Sequence, residues 1–179
     1  MLNVLFTART TYDRLYQEWQ EAHPSEPFDF EFSSCTFPGQ SYQVNAKATK
    51  GTMSFLVSHG YKSGSKFRLG HNKSASFQGL PKFDALLPEN KQCAAMEGLF
   101  DMNVNSLTLI TDGNSGNIDK IHLLVSSDQG ATWTLKETKD YQSSTREYIF
   151  NTESGAKRYA IAISGSKQPR LTIAKLSGK

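Results

Sequence analysis

The stretch Ile121-His122-Leu123-Leu124-Val125-Ser126-Ser127-Asp128-Gln129-Gly130-Ala131-Thr132-Trp133-Thr134-Leu135-Lys136 decides the fold class. Its first five residues put Ile121, Leu123 and Val125 on one side of an extended chain and His122 and Leu124 on the other. That two-residue period marks a strand with one face in a core. A polar break follows, and then Trp133 and Leu135 alternate with Thr132, Thr134 and Lys136 as a returning strand does. Gly130 can supply the positive φ that a tight turn needs, and the Asp128 carboxylate can accept hydrogen bonds from the turn's own N–H groups. The stretch therefore predicts a β-hairpin whose structural turn residues are Ser126, Asp128, Gly130 and Trp133, with Trp133 closing it against the core. The competing role for Asp128 is a cation or sugar ligand. Turn aspartates usually satisfy local backbone donors, so the architectural role is the expectation.

Working outward, the same period recurs from Phe28 on. Phe28, Phe30 and Phe32 alternate with Asp29 and Glu31; Tyr42, Val44 and Ala46 with Gln43, Asn45 and Lys47; Met53, Phe55 and Val57 with Ser54 and Leu56. Phe67 and Leu69 flank Arg68, and Leu107 and Leu109 alternate with Thr108 and Ile110. Tyr148 and Phe150, then Tyr159, Ile161 and Ile163, then Leu171 and Ile173 complete the series. About nine or ten short strands separated by Gly, Ser and Asn turns give an all-β chain, a jelly-roll-like antiparallel β-sandwich. Glycines 60, 64, 70, 113, 116, 155 and 165 fall at turn-like positions. Residues 71–98 break the rhythm: a polar run, then the proline-bounded apolar segment Leu80 to Pro88, then Gln92 to Leu99 as a brief helix or a strand. This reads as a long crossover, the kind of loop that carries binding surfaces on rigid scaffolds.

One amphipathic helix is expected ahead of the strands, from Thr11 to His23. Tyr12, Leu15, Tyr16 and Trp19 fall at i, i+3, i+4 and i+7, with Thr10 or Thr11 as N-cap and Asp13 in the first turn. His23-Pro24-Ser25-Glu26-Pro27 ends it. The domain division that follows is residues 1–27 as helix and connector and residues 28–179 as the β domain. The aromatic stripe packs on the sandwich or on a partner subunit.

The 179 residues carry a formal net charge of +3, distributed unevenly. Residues 1–34 hold Asp13, Glu18, Glu21, Glu26, Asp29 and Glu31 against Arg9 and Arg14. Residues 157–179 hold Lys157, Arg158, Lys167, Arg170, Lys175 and Lys179 with no acid. A basic surface for nucleic acid or an anionic glycan is one consequence. Complementary strand faces, within one subunit or between neighbours, are the other. With Tyr159 the only aromatic among those basic residues, nucleic acid is not the expected partner. No run of 18 apolar residues is present, so no helical membrane span is expected. The start Met1-Leu2-Asn3-Val4-Leu5-Phe6 lacks the basic and long apolar regions of a secretory leader. Either there is no such leader or the numbering begins after its removal. Cys35 and Cys93 permit one disulfide and require none.

Catalytic patterns are thin. His23, His59, His71 and His122 have no i,i+4 partner, which disfavours a zinc site, and no metal or other cofactor is expected. Gly113-Asn114-Ser115-Gly116 suits a hairpin loop better than a nucleophile. Asp84 with Glu89-Asn90-Lys91 resembles part of a metal-dependent nuclease pattern, but the same E-x-K spacing recurs at Glu137-Thr138-Lys139.

Ser126-Ser127-Asp128-Gln129-Gly130-Ala131-Thr132-Trp133 resembles the Asp-box, a hairpin motif of sialidases and many extracellular β-proteins. Its single copy in 179 residues excludes a sialidase propeller. Phe28-Asp29-Phe30, Phe67-Arg68-Leu69-Gly70, Leu107-Thr108-Leu109 followed by Ile121 to Trp133, Tyr159-Ala160-Ile161-Ala162-Ile163 and Leu171-Thr172-Ile173 look like the jelly-roll accessory domains of Bacteroidetes-type surface and secreted proteins, over residues 28–176. Those domains are similar to galactose-binding-like and carbohydrate-binding modules. The resemblance implies a non-catalytic binding module, extracellular or at the cell surface, recognising carbohydrate or a protein partner, and it transfers no binding residues. From the residues themselves, the loops around Tyr61, His71 and Phe83 are the expected ligand site, where an exposed aromatic would stack on a sugar face. The alternative is a structural assembly subunit of a virion or surface layer, a homo-oligomer joined through the helix and the oppositely charged ends.

Overall fold

A computed structural model describes residues 11, 14–15, 26–38, 41–70, 83, 86–87, 92–113, 115–165 and 168–179. Eleven strands fill most of this span: β1 (Phe28–Glu31), β2 (Gln43–Lys50), β3 (Met53–Ser63), β4 (Lys66–Gly70), β5 (Gln92–Gly98), β6 (Ser106–Thr111), β7 (Lys120–Ser126), β8 (Thr134–Asp140), β9 (Glu147–Asn151), β10 (Arg158–Gly165) and β11 (Arg170–Gly178). All pairings between them are antiparallel. The predicted N-terminal helix, apart from Thr11, Arg14 and Leu15, lies outside the described residues.

The strands form one sheet in the order β8-β7-β10-β5-β3-β4-β11-β6-β9, with β1 on β11 and β2 on β3. It curls toward a barrel with two walls, β8-β7-β10-β5 and β4-β11-β6-β9. The long strand β3 is the corner. Its residues 55–57 pair with β5 and its residues 60–63 with β4. Between them the Ser58 hydroxyl accepts the Ala95 N–H at 2.9 Å, capping a donor as β5 diverges. Gly60, expected in a turn, lies inside β3 instead. A Cβ there would come within 2.7 Å of the Arg68 carbonyl oxygen, so the residue permits close strand approach rather than a reversal. Tyr61 accordingly sits in a strand and not in a loop.

Period two places one face of most strands inside, while β8 has no buried residue. Phe30, Phe55, Phe67, Leu107, Leu109, Ile121, Leu123, Phe150, Ile161, Ile163 and Leu171 are buried in a single core. Phe32 belongs to the same core but from a short 3-10 turn, Phe32–Ser34, so β1 ends one residue earlier than its alternation suggests. Phe30, Phe32, Phe55 and Phe67 form a ring chain with centroids 4.7–4.9 Å apart, tying β1 to β3 and β4. The open seam between β8 and β9 is bridged by side chains: Glu137 Oε2 accepts the Asn151 N–H at 3.3 Å, and the Lys139 ammonium lies 5.3 Å from the Phe150 ring centroid. Cys35 is buried in the main core and Cys93 in a second cluster, and no disulfide joins them.

Candidate functional site

The two walls have different outer faces. On the β7-β10-β5 wall, cross-strand register aligns His122, Ala162 and Ala95 in one row and Leu124, Ala160 and Glu97 in the next. The alanines leave a shallow recess. Phe83, Leu87 and Trp133 fill it, forming a second buried cluster with Cys93 and Leu124. The Phe83 and Trp133 rings meet edge to face at 5.5 Å. Phe83, expected to be exposed for stacking on a sugar, is 4% exposed. Its carbonyl accepts the N–H groups of Leu86 and Leu87, a local turn that points both apolar ends of the segment inward. His122 is fully buried between the hydroxyls of Thr138 and Ser164, each 2.8 Å from a ring nitrogen. Burial, and then the nearby Lys120 charge, lower its pKa to about 4, so the ring is neutral at pH 7.

The turn at Ser126–Trp133 borders this capped face. Asp128 Oδ1 accepts the Thr132 N–H at 2.8 Å and the Ser126 hydroxyl at 2.7 Å, while Oδ2 accepts the Thr132 hydroxyl at 2.5 Å. The Thr132 hydrogen bonds and then the Ser126 one hold the Asp128 pKa down at about 2. Gln129 and Gly130 both have positive φ, 58° and 90°; the glycine was legible as such and the glutamine was not. Trp133 Nε1 donates to the Gly130 carbonyl at 3.1 Å. The carboxylate is thus engaged within its own hairpin. The Glu137-Thr138-Lys139 triplet is an ion pair along one edge strand, with Lys139 Nζ 3.0 Å from Glu137. His71, Asp84, Glu89 and Lys91 lie outside the described residues. Among the described residues, no group of three or more His, Cys, Asp or Glu side chains could hold a metal.

No described residue forms a second layer over the β1-β11-β6-β9 face, here called the open face. Register places Glu31, Lys175, Ile110 and Glu147 in one row across four strands, and Asp29, Ser177, Thr108 and Ile149 in the next. These rows outline a groove of about 510 Å³, lined among others by Asp29, Thr108, Ile110, Glu147, Lys175 and Ser177. Ile110 and Thr108 form a half-buried floor, and Ile149, 53% exposed, extends it to the β9 edge. Lys175 Nζ stands 3.6 Å from Asp29 Oδ1 across the β1–β11 pair. One acid of the N-terminal segment and one cation of the C-terminal segment therefore meet within one subunit. Tyr61 belongs to the same wall's outer surface through its pairing with Arg68, whose guanidinium lies 5.5 Å from the Tyr61 ring centroid.

Carboxylates, hydroxyls and an ammonium ring an aliphatic floor here, which is the surface chemistry of a small-molecule cleft. Sequence reasoning missed every groove residue. Their only signal was polar alternation on β1, β6, β9 and β11, and nothing in it said that residues 28–31 meet residues 175–178.

No family model and no curated protein sequence matches the chain. Among solved structures, it is similar to a low-affinity xylan binding module, CBM86, from the gut symbiont Roseburia intestinalis. Identity is 11% over 86% of this chain and 95% of that chain, with a TM-score of 0.46. It is also similar to a Clostridium perfringens CBM32 module in complex with GalNAc-β-1,3-galactose, at 14% identity over 70% of this chain and 95% of that one, TM-score 0.40. A mutant family 29 carbohydrate binding module gives 14% identity over 78% and 91%, TM-score 0.43. Scores this low carry no ligand from those proteins to this chain.

Proposed function

We propose that the chain is a non-catalytic carbohydrate-binding module whose ligand lies in the groove on the β1-β11-β6-β9 face. The carrying observation is the pairing of an aliphatic floor, Ile110 and Ile149, with hydrogen-bonding groups of both kinds at its sides: Asp29 and Glu147 as acceptors, Lys175 as donor, Thr108 and Ser177 as either. A pyranose presents the same combination, with C–H groups on its ring faces and hydroxyls around its rim. Those hydroxyls replace water on the carboxylates and the ammonium, and the ring face covers the isoleucines. Rigid strands hold the groups, so little ordering is required on binding. An extracellular or cell-surface location, where polysaccharides are met, goes with this reading.

The test is calorimetric titration of a panel of neutral oligosaccharides against the wild type, Lys175→Ala and Asp29→Ala. Binding by the wild type, weakened about tenfold by either change at unaltered melting temperature, is the expected result. A ligand whose affinity ignores both substitutions would move the site elsewhere.

A further inference from the structure

The open face continues past the groove into a cationic end. Just past the end of β6, Asp112 follows Ile110 by two residues, roughly 7 Å along an extended chain; just before β9, Arg146 precedes the groove residue Glu147. The Thr111 N–H donates to the Arg146 carbonyl at 2.8 Å and the Asp112 N–H to the Thr172 carbonyl at 2.9 Å, so these segments are fixed beside β11. Three cations, Lys66, Arg146 and Arg170, border the 112–116 loop, and Arg68 lies on β4 with β11 between it and the loop. Lys66 pairs with Asp112. Arg170 Nη2 would stand 3.2 Å from a Cβ on Gly116, and Arg146 Nη2 3.6 Å from one on Gly113, so the two guanidinium groups flank the loop where it lacks side chains. Arg68 lies over Tyr61 and is the register partner of Thr172. Asp112 is the one carboxylate in the sequence of the 112–116 loop, and its pKa is lowered, chiefly by the Lys66 hydrogen bond.

We infer that this end selects an acidic saccharide, one bearing a carboxylate or sulfate, with a neutral portion of the chain in the groove and the anionic group against Arg68, Arg146 and Arg170. The inference rests on the carbohydrate reading of the groove and adds a ligand class to it. A guanidinium fork matches the planar carboxylate and the tripod of sulfate oxygens, and arginines on both sides of the 112–116 loop offer such a group more than one fork. A nucleic acid fits less well. Its phosphates recur at every residue and would run from the arginines onto Asp29, Glu31 and Glu147, where repulsion replaces attraction. A glycan with spaced charges meets the acidic groove with hydroxyls.

The experiment compares a galactan hexamer, an oligogalacturonate hexamer, a heparin-derived hexasaccharide and a single-stranded DNA oligomer by titration at low and at raised salt. Wild-type protein is set beside Arg146→Gln and the double variant Arg68→Gln/Arg170→Gln, with melting temperature as the folding control. An acidic hexamer bound about tenfold more tightly than galactan, with that preference lost at raised salt and in the variants while galactan binding stays, supports the inference. Equal binding of galactan and both acidic hexamers, or an acid preference that the variants retain, overturns it and leaves the groove as a neutral-sugar site. No binding of any saccharide overturns this inference and the carbohydrate reading together. DNA bound more tightly than the acidic hexamers assigns the patch to nucleic acid instead.

Discussion

The outer faces of the two walls are built on the same antiparallel ladder and end in opposite states. On one, rows of alanine make a hollow that the chain itself fills with Phe83, Leu87 and Trp133. On the other, longer side chains stand up around Ile110 and Thr108 and leave a groove. Small residues on a sheet face do not create a site when a neighbouring segment carries apolar groups to occupy it. Mixed polar and aliphatic rows leave a groove when no described segment lies over them. The difference separates stability from recognition: the capped face contributes buried area, and the open face contributes exposed hydrogen-bonding groups.

Substitutions can break that division. The largest effect is expected at the cap. Trp133→Ala removes a large buried side chain and its hydrogen bond to Gly130, and should cost about 3–5 kcal/mol in denaturant unfolding. Oligosaccharide affinity of the folded fraction should stay unchanged. Lost affinity with intact stability would make the capped face the site.

Next is acid. His122 has a folded pKa of about 4 against 6.5 unfolded. Between these values the unfolded chain takes up a proton that the folded one refuses. Stability is therefore full above about pH 6.5 and falls as the pH drops toward 4, by about 3 kcal/mol at most. Unfolding curves at several pH values check this, and His122→Gln should flatten the dependence. The nearby Lys120 charge adds to the effect. Asp128 acts lower, with stability kept above its ordinary carboxylate range and lost only as pH falls through about 2. Asp128→Ala should lower the melting temperature by less than Trp133→Ala does, and leave saccharide binding alone. Binding lost at unchanged melting temperature would reassign that carboxylate to a ligand.

Smallest in stability is the open face. Ile149→Lys replaces an exposed side chain on an edge strand and should change unfolding by roughly 0.5 kcal/mol or less. Carbohydrate affinity should fall clearly, because an ammonium displaces the apolar floor.

How much of this was legible in the sequence follows from range. Strands with large alternating side chains, such as Phe55-Leu56-Val57 or Ile161-Ala162-Ile163, declare themselves locally. β5 did not, because Cys93-Ala94-Ala95-Met96 has little contrast between its two sides; only its neighbours β3 and β10 make it a strand. The Ser126–Trp133 hairpin was readable because the hydrogen bonds of the Ser126, Asp128 and Trp133 side chains lie within its own eight residues. Phe83 was misplaced because a proline-bounded apolar segment looks alike whether it projects or caps, and the alanine rows that receive it are 95, 160 and 162. The groove was invisible for the same reason, since its floor and sides come from the two ends of the β domain and two strands between them.

The central claim is that the open face, and not the capped one, holds the ligand. Amide chemical shifts followed while an oligosaccharide is added test it most directly. The structure predicts perturbations at Thr108, Ile110, Glu147, Lys175 and Ser177, with none at Ala95, Leu124, Ala160 or Trp133. Shifts confined to the second group, with the first unmoved, would contradict it.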